Sequence, residues 1–144
     1  MENCKFCDKE NEKLLIKNFD NWKIFLHENQ YYPGRLRIVL GRHGPETTNE
    51  LSEEEWIELK KISDKLTKTL QNLYKPDLIH YIVLQNDNRN HFHMQLVPRY
   101  SETRVIHGEE FKDENFGKVP FPTSKIEYSE KLLLKIKEDI QKEL

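Results

Sequence analysis

Three polar side chains occupy alternate positions in the segment NHFHMQLV, residues 90–97. Successive side chains of a β-strand point to opposite faces of its sheet, so His91, His93 and Gln95 are expected to share one face. The apolar residues between them would pack against the other face. Three hydrogen-bonding groups in a row on one face are more typical of a functional site than of a hydrophobic core.

These side chains are suited to phosphoryl transfer. A neutral imidazole is nucleophilic near pH 7 and can attack a phosphoryl centre, which divides one difficult displacement into two easier ones. His93 lies between the other two polar residues and is the expected nucleophile. Gln95 can donate its amide hydrogens to a phosphoryl oxygen, but it cannot exchange a proton near neutral pH. A single histidine on a strand is more often a satisfied polar residue, so the interpretation rests on the whole segment.

The run HFHMQLV, residues 91–97, resembles the signature of the histidine triad (HIT) superfamily, with Gln95 in place of the third histidine. This variant is similar to the nucleotidyltransferase branch, which includes galactose phosphate uridylyltransferase and diadenosine tetraphosphate phosphorylase. The resemblance extends from about Cys4 to Arg99, roughly two-thirds of the chain. It implies a nucleotide-binding nucleotidyl hydrolase or transferase that acts on dinucleoside polyphosphates or related nucleoside phosphates through a covalent nucleotidyl-His93 intermediate.

The two cysteines of the chain form a C-x-x-C pair, Cys4 and Cys7. That spacing also occurs in redox motifs and by chance, and a tetrahedral zinc site needs two further ligands, usually histidines. Many bacterial HIT proteins and the uridylyltransferases bind zinc through such a pair, a histidine that follows Arg or Lys, and the first histidine of the signature. The resemblance therefore implies a structural zinc ion on Cys4, Cys7, His43 and His91. The alternative is two idle thiols near the N-terminus.

The resemblance also implies a ribose contact. In HIT proteins an acidic residue at the position of Glu28 binds the ribose hydroxyls, and a Pro-Gly-His turn follows. Here Glu28 is longer than the usual Asp, and Arg35 replaces the histidine of the turn. The alternative for Glu28 is a solvated turn carboxylate.

Phosphate contacts are expected around the signature. Asn86 matches the phosphate-side asparagine of the family, although the loop that follows it lacks the family's glycine, and Gln95 would also bind phosphate. Arginine binds phosphate oxygens in a bidentate manner, which makes Arg89 and Arg99 further candidates beside the site. Each of these arginines could equally be a solvated surface residue.

The elements around these residues predict an α+β fold. A long helix begins at the capping box Ser52/Glu55, continues with apolar residues at spacings of three and four, and stops at Lys75-Pro76. A C-terminal helix is expected over residues 132–140, after a long ordered loop over residues 101–125. Short strands are predicted at about Leu14-Lys17, Trp22-His27, Leu36-Leu40, Leu78-Gln85 and Phe92-Val97.

This order predicts a HIT-like antiparallel sheet of about five strands packed on one long helix, plus the C-terminal helix. Residues 1–144 would form a single HIT-like domain, with a core over about 4–100 and a C-terminal extension over 101–144. The resemblance also implies a homodimer with a continuous sheet.

Composition narrows the function classes. The net charge is only -2, from 23 basic and 25 acidic residues, so the chain lacks the basic field of a nonspecific nucleic-acid-binding protein. No apolar stretch approaches the roughly 20 residues that cross a bilayer, and no membrane partner is expected. Two metal-ready cysteines suit a reducing cytoplasm. An alternative function is a nucleotide-binding or partner-binding HIT module with little catalytic turnover; a purely structural zinc protein would not need His93.

Overall fold

A computed structural model describes residues 4–7, 9–85 and 91–144 of the chain. Asn86 and Arg89 lie outside the described residues. The main sheet has five strands and packs against two helices, and a two-stranded hairpin and two short 3₁₀ helices complete the described elements. The strands are β1 (Leu15–Asn18), β2 (Trp22–Leu26), β3 (Leu36–Leu40), β4 (Leu78–Val83), β5 (His93–Arg99), β6 (Arg104–Ile106) and β7 (Glu109–Phe111); the helices are α1 (Glu53–Tyr74) and α2 (Glu130–Glu143), and the 3₁₀ helices are Lys9–Leu14 and Thr48–Glu50.

The main sheet is antiparallel throughout, with the strand order β1-β2-β3-β5-β4. The strand of the HFHMQLV segment, β5, therefore lies between β3 and β4. Val39 of β3 is the partner of His93, and Ile82 of β4 is the partner of Gln95. The predicted α+β architecture with a five-stranded antiparallel sheet is confirmed.

The two faces of the sheet differ in chemistry. One face packs on α1 and α2 and forms the main hydrophobic core, to which β5 contributes Met94 and Leu96. The opposite face carries His93 and Gln95, because side chains alternate along the strand. Two small apolar clusters lie beside these polar residues, one around Phe6, Phe25 and Val39 and the other around Tyr31, Tyr32 and Val97.

The predicted capping box of α1 is present. Ser52 Oγ accepts a hydrogen bond from the Glu55 backbone N–H at 3.2 Å, and Glu55 Oε2 accepts one from the Ser52 backbone N–H at 2.8 Å. The helix ends at Tyr74, and its C-cap residue Lys75 has a left-handed backbone (φ 50°) and precedes Pro76. The same Glu55 carboxylate binds the guanidinium of Arg42 at 2.5 Å, so the start of α1 anchors the residue before His43.

The C-terminal region contains more regular structure than the sequence predicted. The expected loop over residues 101–125 includes the hairpin of β6 and β7. Its two-residue turn consists of His107 and Gly108, with φ of 50° and 82°, and a type I′ hairpin turn needs positive φ at both positions. Charged residues on both short strands hide the alternation that would have revealed them. The C-terminal helix is present as α2.

Neither helix of the described residues combines the length and the apolar character needed to cross a membrane.

Candidate functional site

Four predicted metal ligands come together at the start of β5. The ligand atoms of Cys4, Cys7, His43 and His91 all lie within 4.8 Å of one another. His91 Nδ1 is 3.4 Å from Cys4 Sγ, 3.6 Å from Cys7 Sγ and 3.3 Å from His43 Nδ1. Bonds of about 2.0–2.1 Å to nitrogen and about 2.3 Å to sulfur put the ligand atoms of a tetrahedral zinc about 3.3–3.8 Å apart. The cluster thus has the donor set of a tetrahedral metal site, and the three distances from His91 Nδ1 match the size of one.

A hydrogen bond prepares His91 for this role. Its Nε2 lies 2.5 Å from the carbonyl oxygen of Leu40, which can only accept, so Nε2 carries the ring proton and Nδ1 presents its lone pair to the cluster. Burial lowers the pKa of His91 below its usual range, and nearby His43 and Lys23 act in the same direction. A neutral imidazole is the form that binds a metal.

His93 is the first residue of β5 and is 7% exposed. Its Nδ1 lies 3.0 Å from the carbonyl oxygen of His91, so Nδ1 carries the proton in the neutral ring and Nε2 carries the lone pair. The ring of Phe6, inside the C-x-x-C loop, lies with its centroid 4.7 Å from the His93 ring and 5.7 Å from the His91 ring. The N-terminal loop therefore contacts both histidines.

Gln95 follows on the same face and is held by Arg35. The Nε and Nη2 atoms of Arg35 donate to Gln95 Oε1 at 3.1 and 2.5 Å. Arginine has no acceptor, so this arrangement identifies the Gln95 oxygen and leaves its NH₂ group at the other end of the amide. Arg35 is 5% exposed, and burial together with the charge of Arg37 lowers the pKa of Arg35 to about 10.

The turn before Arg35 is rigidly held by Gln30, which is fully buried. Its Nε2 donates to the carbonyl oxygens of His27 and Arg35 at 2.7 and 2.9 Å, and its Oε1 accepts from the Gly34 N–H at 2.8 Å. Gly34 has φ of 89°, a conformation that glycine adopts without strain. This support keeps the backbone of Arg35 in place beside β5.

Glu28 lies on the neighbouring loop at the end of β2. Its carboxylate binds Arg37 Nη2 at 2.7 Å, and its side chain stays 57% exposed. Burial raises the pKa of Glu28, but the positive charge of Arg37 and the interaction with His27 outweigh that effect and lower the pKa to about 2. Glu28 is also part of the lining of a cleft of about 540 Å³ between residues 27–29 and residues 125–128. The Asn29 side chain donates to the Ser124 carbonyl at 3.0 Å and ties these two walls together.

Arg99, a candidate phosphate ligand, has a different role. Its side chain is 1% exposed and forms a buried ion pair with Asp113, with Nε 2.7 Å from Oδ2. The carbonyl oxygens of Asn115 and Lys118 accept two further hydrogen bonds at 2.5 Å. Arg99 therefore organises the segment after β7, and the expectation that it contacts phosphate is wrong. Its acidic partner is 14 residues away, which sequence inspection did not reveal.

Three residues gained importance only in the structure: Phe6, Gln30 and Arg35. Phe6 could have been noticed because it stands inside the C-x-x-C pair, and Arg35 because it replaces a histidine expected from the resemblance. No local pattern distinguishes Gln30 from an exposed turn residue.

Comparison with known proteins identifies the fold. No protein-family model matches the sequence, and a search of curated proteins gave no match. Among solved structures, a histidine triad protein from Marinobacter aquaeolei superposes with a TM-score of 0.76 at 16% identity, covering 96% of this chain and 94% of that one. A HIT protein from Sinorhizobium meliloti gives 0.75 at 17% identity and covers 95% of both chains.

A third similar structure is the diadenosine triphosphate hydrolase of Plasmodium falciparum. Its TM-score is 0.60 at 12% identity, with 94% of this chain and 75% of that chain covered. Each of these likenesses covers at least 94% of this chain. The chain therefore has the histidine triad fold.

Proposed function

We propose that this protein belongs to the histidine triad superfamily and is a nucleotidyl hydrolase or transferase with His93 as its nucleophile. The observation that carries the proposal is the hydrogen bond from His93 Nδ1 to the His91 carbonyl at 3.0 Å. It orients the ring and gives Nε2 the lone pair that nucleophilic attack requires. The fold shared with a diadenosine triphosphate hydrolase supports the same reaction class.

In the proposed reaction, His93 Nε2 attacks the α-phosphorus of a nucleoside phosphate. The bond from phosphorus to the leaving group breaks, and the nucleotidyl group remains on the imidazole. Water or a second acceptor such as inorganic phosphate then attacks the phosphorus, and the electron pair of the P–N bond returns to Nε2. Gln95 would bind a phosphoryl oxygen through its NH₂ group throughout both steps. Asn86 and Arg89 stay candidate phosphate ligands from the sequence.

The nucleoside would occupy the cleft between residues 27–29 and residues 125–128. Glu28 remains ionised at neutral pH because its pKa is about 2, so its oxygens can accept hydrogen bonds from ribose hydroxyls. The cleft of about 540 Å³ also includes Ile126, Tyr128 and Leu133, which offer an apolar surface to a base.

Trapping of the covalent intermediate tests the reaction. The protein is mixed with diadenosine triphosphate, quenched under alkaline conditions that preserve a P–N bond, digested and analysed by mass spectrometry. An adenylylated peptide that contains His93 is expected, and His93→Ala should abolish both the adduct and turnover. His107→Asn is the matched control, because His107 pairs with Asp139 away from the site. This variant should keep both the adduct and the turnover. Adduct formation that survives His93→Ala would refute the proposal.

The second candidate is a nucleotide-binding module with little turnover. It is favoured by the Arg35–Gln95 pair, because neither side chain exchanges protons near neutral pH as a third histidine would. Tight binding of a nucleotide without an adduct and without any effect of His93→Ala on product formation would support this candidate instead.

We also propose that Cys4, Cys7, His43 and His91 hold a structural zinc ion. Four protein ligands complete a tetrahedral site, so the metal would fasten the N-terminal segment to the start of β5 and hold His91 in place. This attachment would keep Phe6 against the His93 ring. When bound, the ion would supply structural cross-linking and leave the chemistry at phosphorus to His93.

Metal analysis tests this part separately. The purified protein is expected to contain one zinc ion per chain, and the cobalt-substituted form should display the thiolate-to-metal charge transfer of a two-sulfur tetrahedral site. Cys4→Ser should reduce metal affinity strongly, because a thiolate is lost. Metal-free protein whose two thiols both react rapidly with a thiol reagent would refute the proposal.

A homodimer is the assembly that we propose. Within the described residues, β4 pairs with β5 on one side only and forms an edge of the sheet. Its exposed side chains include Leu78, Tyr81 and Val83, an apolar set that is unusual on an edge strand facing water. Analytical ultracentrifugation should show a dimer that Val83→Lys weakens; a monomer at all accessible concentrations would refute the proposed dimer.

A reducing cytoplasm suits the two cysteine ligands, and we propose that compartment for the protein.

A further inference from the structure

Arg35 is a buried cation that forms no salt bridge within 4 Å among the described residues; the charge of Glu28 acts on it, but that carboxylate is paired with Arg37. Its guanidinium binds only the neutral amide oxygen of Gln95 and lies 5.8 Å from the ring centroid of Phe121. Arg37, two residues later on β3, is paired with Glu28, and Arg99, which is also buried, is paired with Asp113. Buried charges are normally paired, because desolvation of an isolated ion costs several kcal/mol. A bound anionic ligand would therefore supply the charge partner that Arg35 lacks.

The amide of Gln95 is oriented so that it also presents donors. Its oxygen is occupied by Arg35, so its NH₂ group is the end that can bind a ligand. Residues two apart on a strand have Cα atoms roughly 6.5 Å apart and side chains on the same face, so the Gln95 side chain and the His93 ring are neighbours on that face of β5. The three side chains therefore combine a nucleophile with a cation and a pair of N–H donors.

This combination lacks a proton donor near neutral pH. The Gln95 amide does not titrate, and Arg35 keeps its proton because its pKa, although lowered by burial and by Arg37, is about 10. A leaving group that must be protonated before it departs, such as an amine or an alkoxide, would receive no help from these residues. A phosphate leaves as a stable anion, and a nearby guanidinium stabilises that negative charge.

We propose that Arg35 is a substrate-binding residue that acts together with Gln95, and that this pair restricts the reaction to phosphoric anhydrides. The inference rests on the proposed function of His93. In the first step the N–P bond forms while the P–O bond of the anhydride breaks, and the electron pair stays on the bridging oxygen of the departing phosphate. In the second step the oxygen of water bonds to phosphorus, the P–N pair returns to Nε2, and the water proton passes to solvent.

Two substrates with the same nucleoside test the restriction. Diadenosine triphosphate carries an anhydride leaving group, and adenosine 5′-phosphoramidate carries an amine. The wild-type protein is expected to cleave diadenosine triphosphate with a kcat/KM at least about 100-fold higher than that for adenosine 5′-phosphoramidate, since general acid catalysis of the amine's departure is missing. Comparable values for the two substrates would overturn the restriction. Gln95→His restores an imidazole that can donate a proton, so it should raise the cleavage of the phosphoramidate relative to that of the anhydride.

Arg35 variants test the binding role. Arg35→Gln should lower kcat for the anhydride by about 10²–10³, the typical effect of removing one donor that stabilises developing negative charge. Arg35→Lys keeps a cation but loses the two-atom contact with Gln95, and it should recover part of the loss. Arg104→Gln is the matched control, because Arg104 donates to the carbonyls of Tyr74, Lys75 and Glu102 away from the site. Circular dichroism of each variant verifies the fold.

The outcomes separate the two proposals. If His93→Ala abolishes turnover and adduct formation but Arg35→Gln and Arg35→Lys both match the wild type, the inference about Arg35 is wrong and the proposed function stands. If turnover survives His93→Ala, or if the wild type cleaves neither substrate, the proposed function fails and the inference fails with it. Loss of anhydride cleavage in Arg35→Gln with partial recovery in Arg35→Lys supports both.

Discussion

Replacement of Asp113 by Asn should destabilise the protein more than a change at any exposed carboxylate. Both Arg99 and Asp113 have side chains with 1% exposure or less. The carboxylate accepts two hydrogen bonds from Arg99, at 2.7 and 3.2 Å, and one each from the backbone N–H groups of Tyr100 and Asn115. Asp113→Asn keeps the shape but removes the charge and replaces one acceptor oxygen by a donor.

The size of the effect follows from this geometry. Removal of one partner from a buried ion pair costs about 3–5 kcal/mol because the other charge stays buried. Arg99 would keep the carbonyl oxygens of Asn115 and Lys118, so we expect the lower end, about 3 kcal/mol. For a chain of this length that loss lowers Tm by roughly 6–12 °C. Arg99→Met combined with Asp113→Asn should destabilise the protein by less than the sum of the single changes, because each single variant leaves one buried charge unmatched and the double variant leaves none.

Urea unfolding, followed by tryptophan fluorescence and circular dichroism, measures these differences. Asp64→Asn is the matched control, because Asp64 pairs with Lys60 at 2.6 Å while both side chains stay exposed. An exposed pair contributes under about 1 kcal/mol, so this variant should resemble the wild type. If Asp113→Asn were no more destabilising than Asp64→Asn, or if the two changes at Arg99 and Asp113 were additive, the burial argument would be refuted.

Three further predictions concern single positions. Tyr74→Phe should leave the free energy of unfolding unchanged or raise it by up to about 1 kcal/mol, because the buried Tyr74 hydroxyl has no hydrogen-bond partner among the described residues. Tyr100→Phe should lower the free energy of unfolding by about 1 kcal/mol, because the hydrogen bond to the Pro33 carbonyl is lost. Equal effects of the two changes in urea unfolding would contradict this prediction. Gly34→Ala should lower the free energy of unfolding by about 1–3 kcal/mol, since φ is 89° and an added Cβ would lie 2.8 Å from a Leu70 methyl carbon. Wild-type stability of this variant would contradict the prediction. The ¹³C carboxyl signal of Glu28 should titrate near pH 2, and Arg37→Gln should move the titration midpoint upward, whereas an unchanged midpoint would contradict the pairing. Because the pKa of Glu28 in the folded protein lies below the ordinary value of about 4.3, its ion pair with Arg37 stabilises the fold above about pH 4.3. That contribution is lost as the pH falls toward 2.

Much of the scaffold could be predicted because the signals for it are local. The capping box at Ser52 and the apolar spacing of α1 act within one helix, and the five main strands follow from short alternating or apolar runs. The HFHMQLV segment likewise placed His93 and Gln95 on one face of a central strand. The hairpin of β6 and β7 was missed because each strand is only three residues long and half of their residues are charged.

The metal cluster could be predicted only in part. The resemblance predicted Cys4, Cys7, His43 and His91 as one set of ligands, and the structure brings their ligand atoms within 4.8 Å of one another. The hydrogen bond that presents Nδ1 of His91 to the cluster is donated by its Nε2 to the Leu40 carbonyl, 51 residues away, and no pattern in the sequence indicates it.

The sequence by itself determined the five strands of the main sheet, the two helices, and the face of β5 that carries His93 and Gln95. Only the tertiary structure decided which arginine contacts Gln95: Arg99 is paired with Asp113, whereas Arg35 donates to the Gln95 oxygen, 60 residues away. The physical reason is that a buried guanidinium is governed by the acceptors that surround it after folding. Those acceptors come from distant parts of the chain, whereas strand and helix periodicity depends on neighbours a few residues apart.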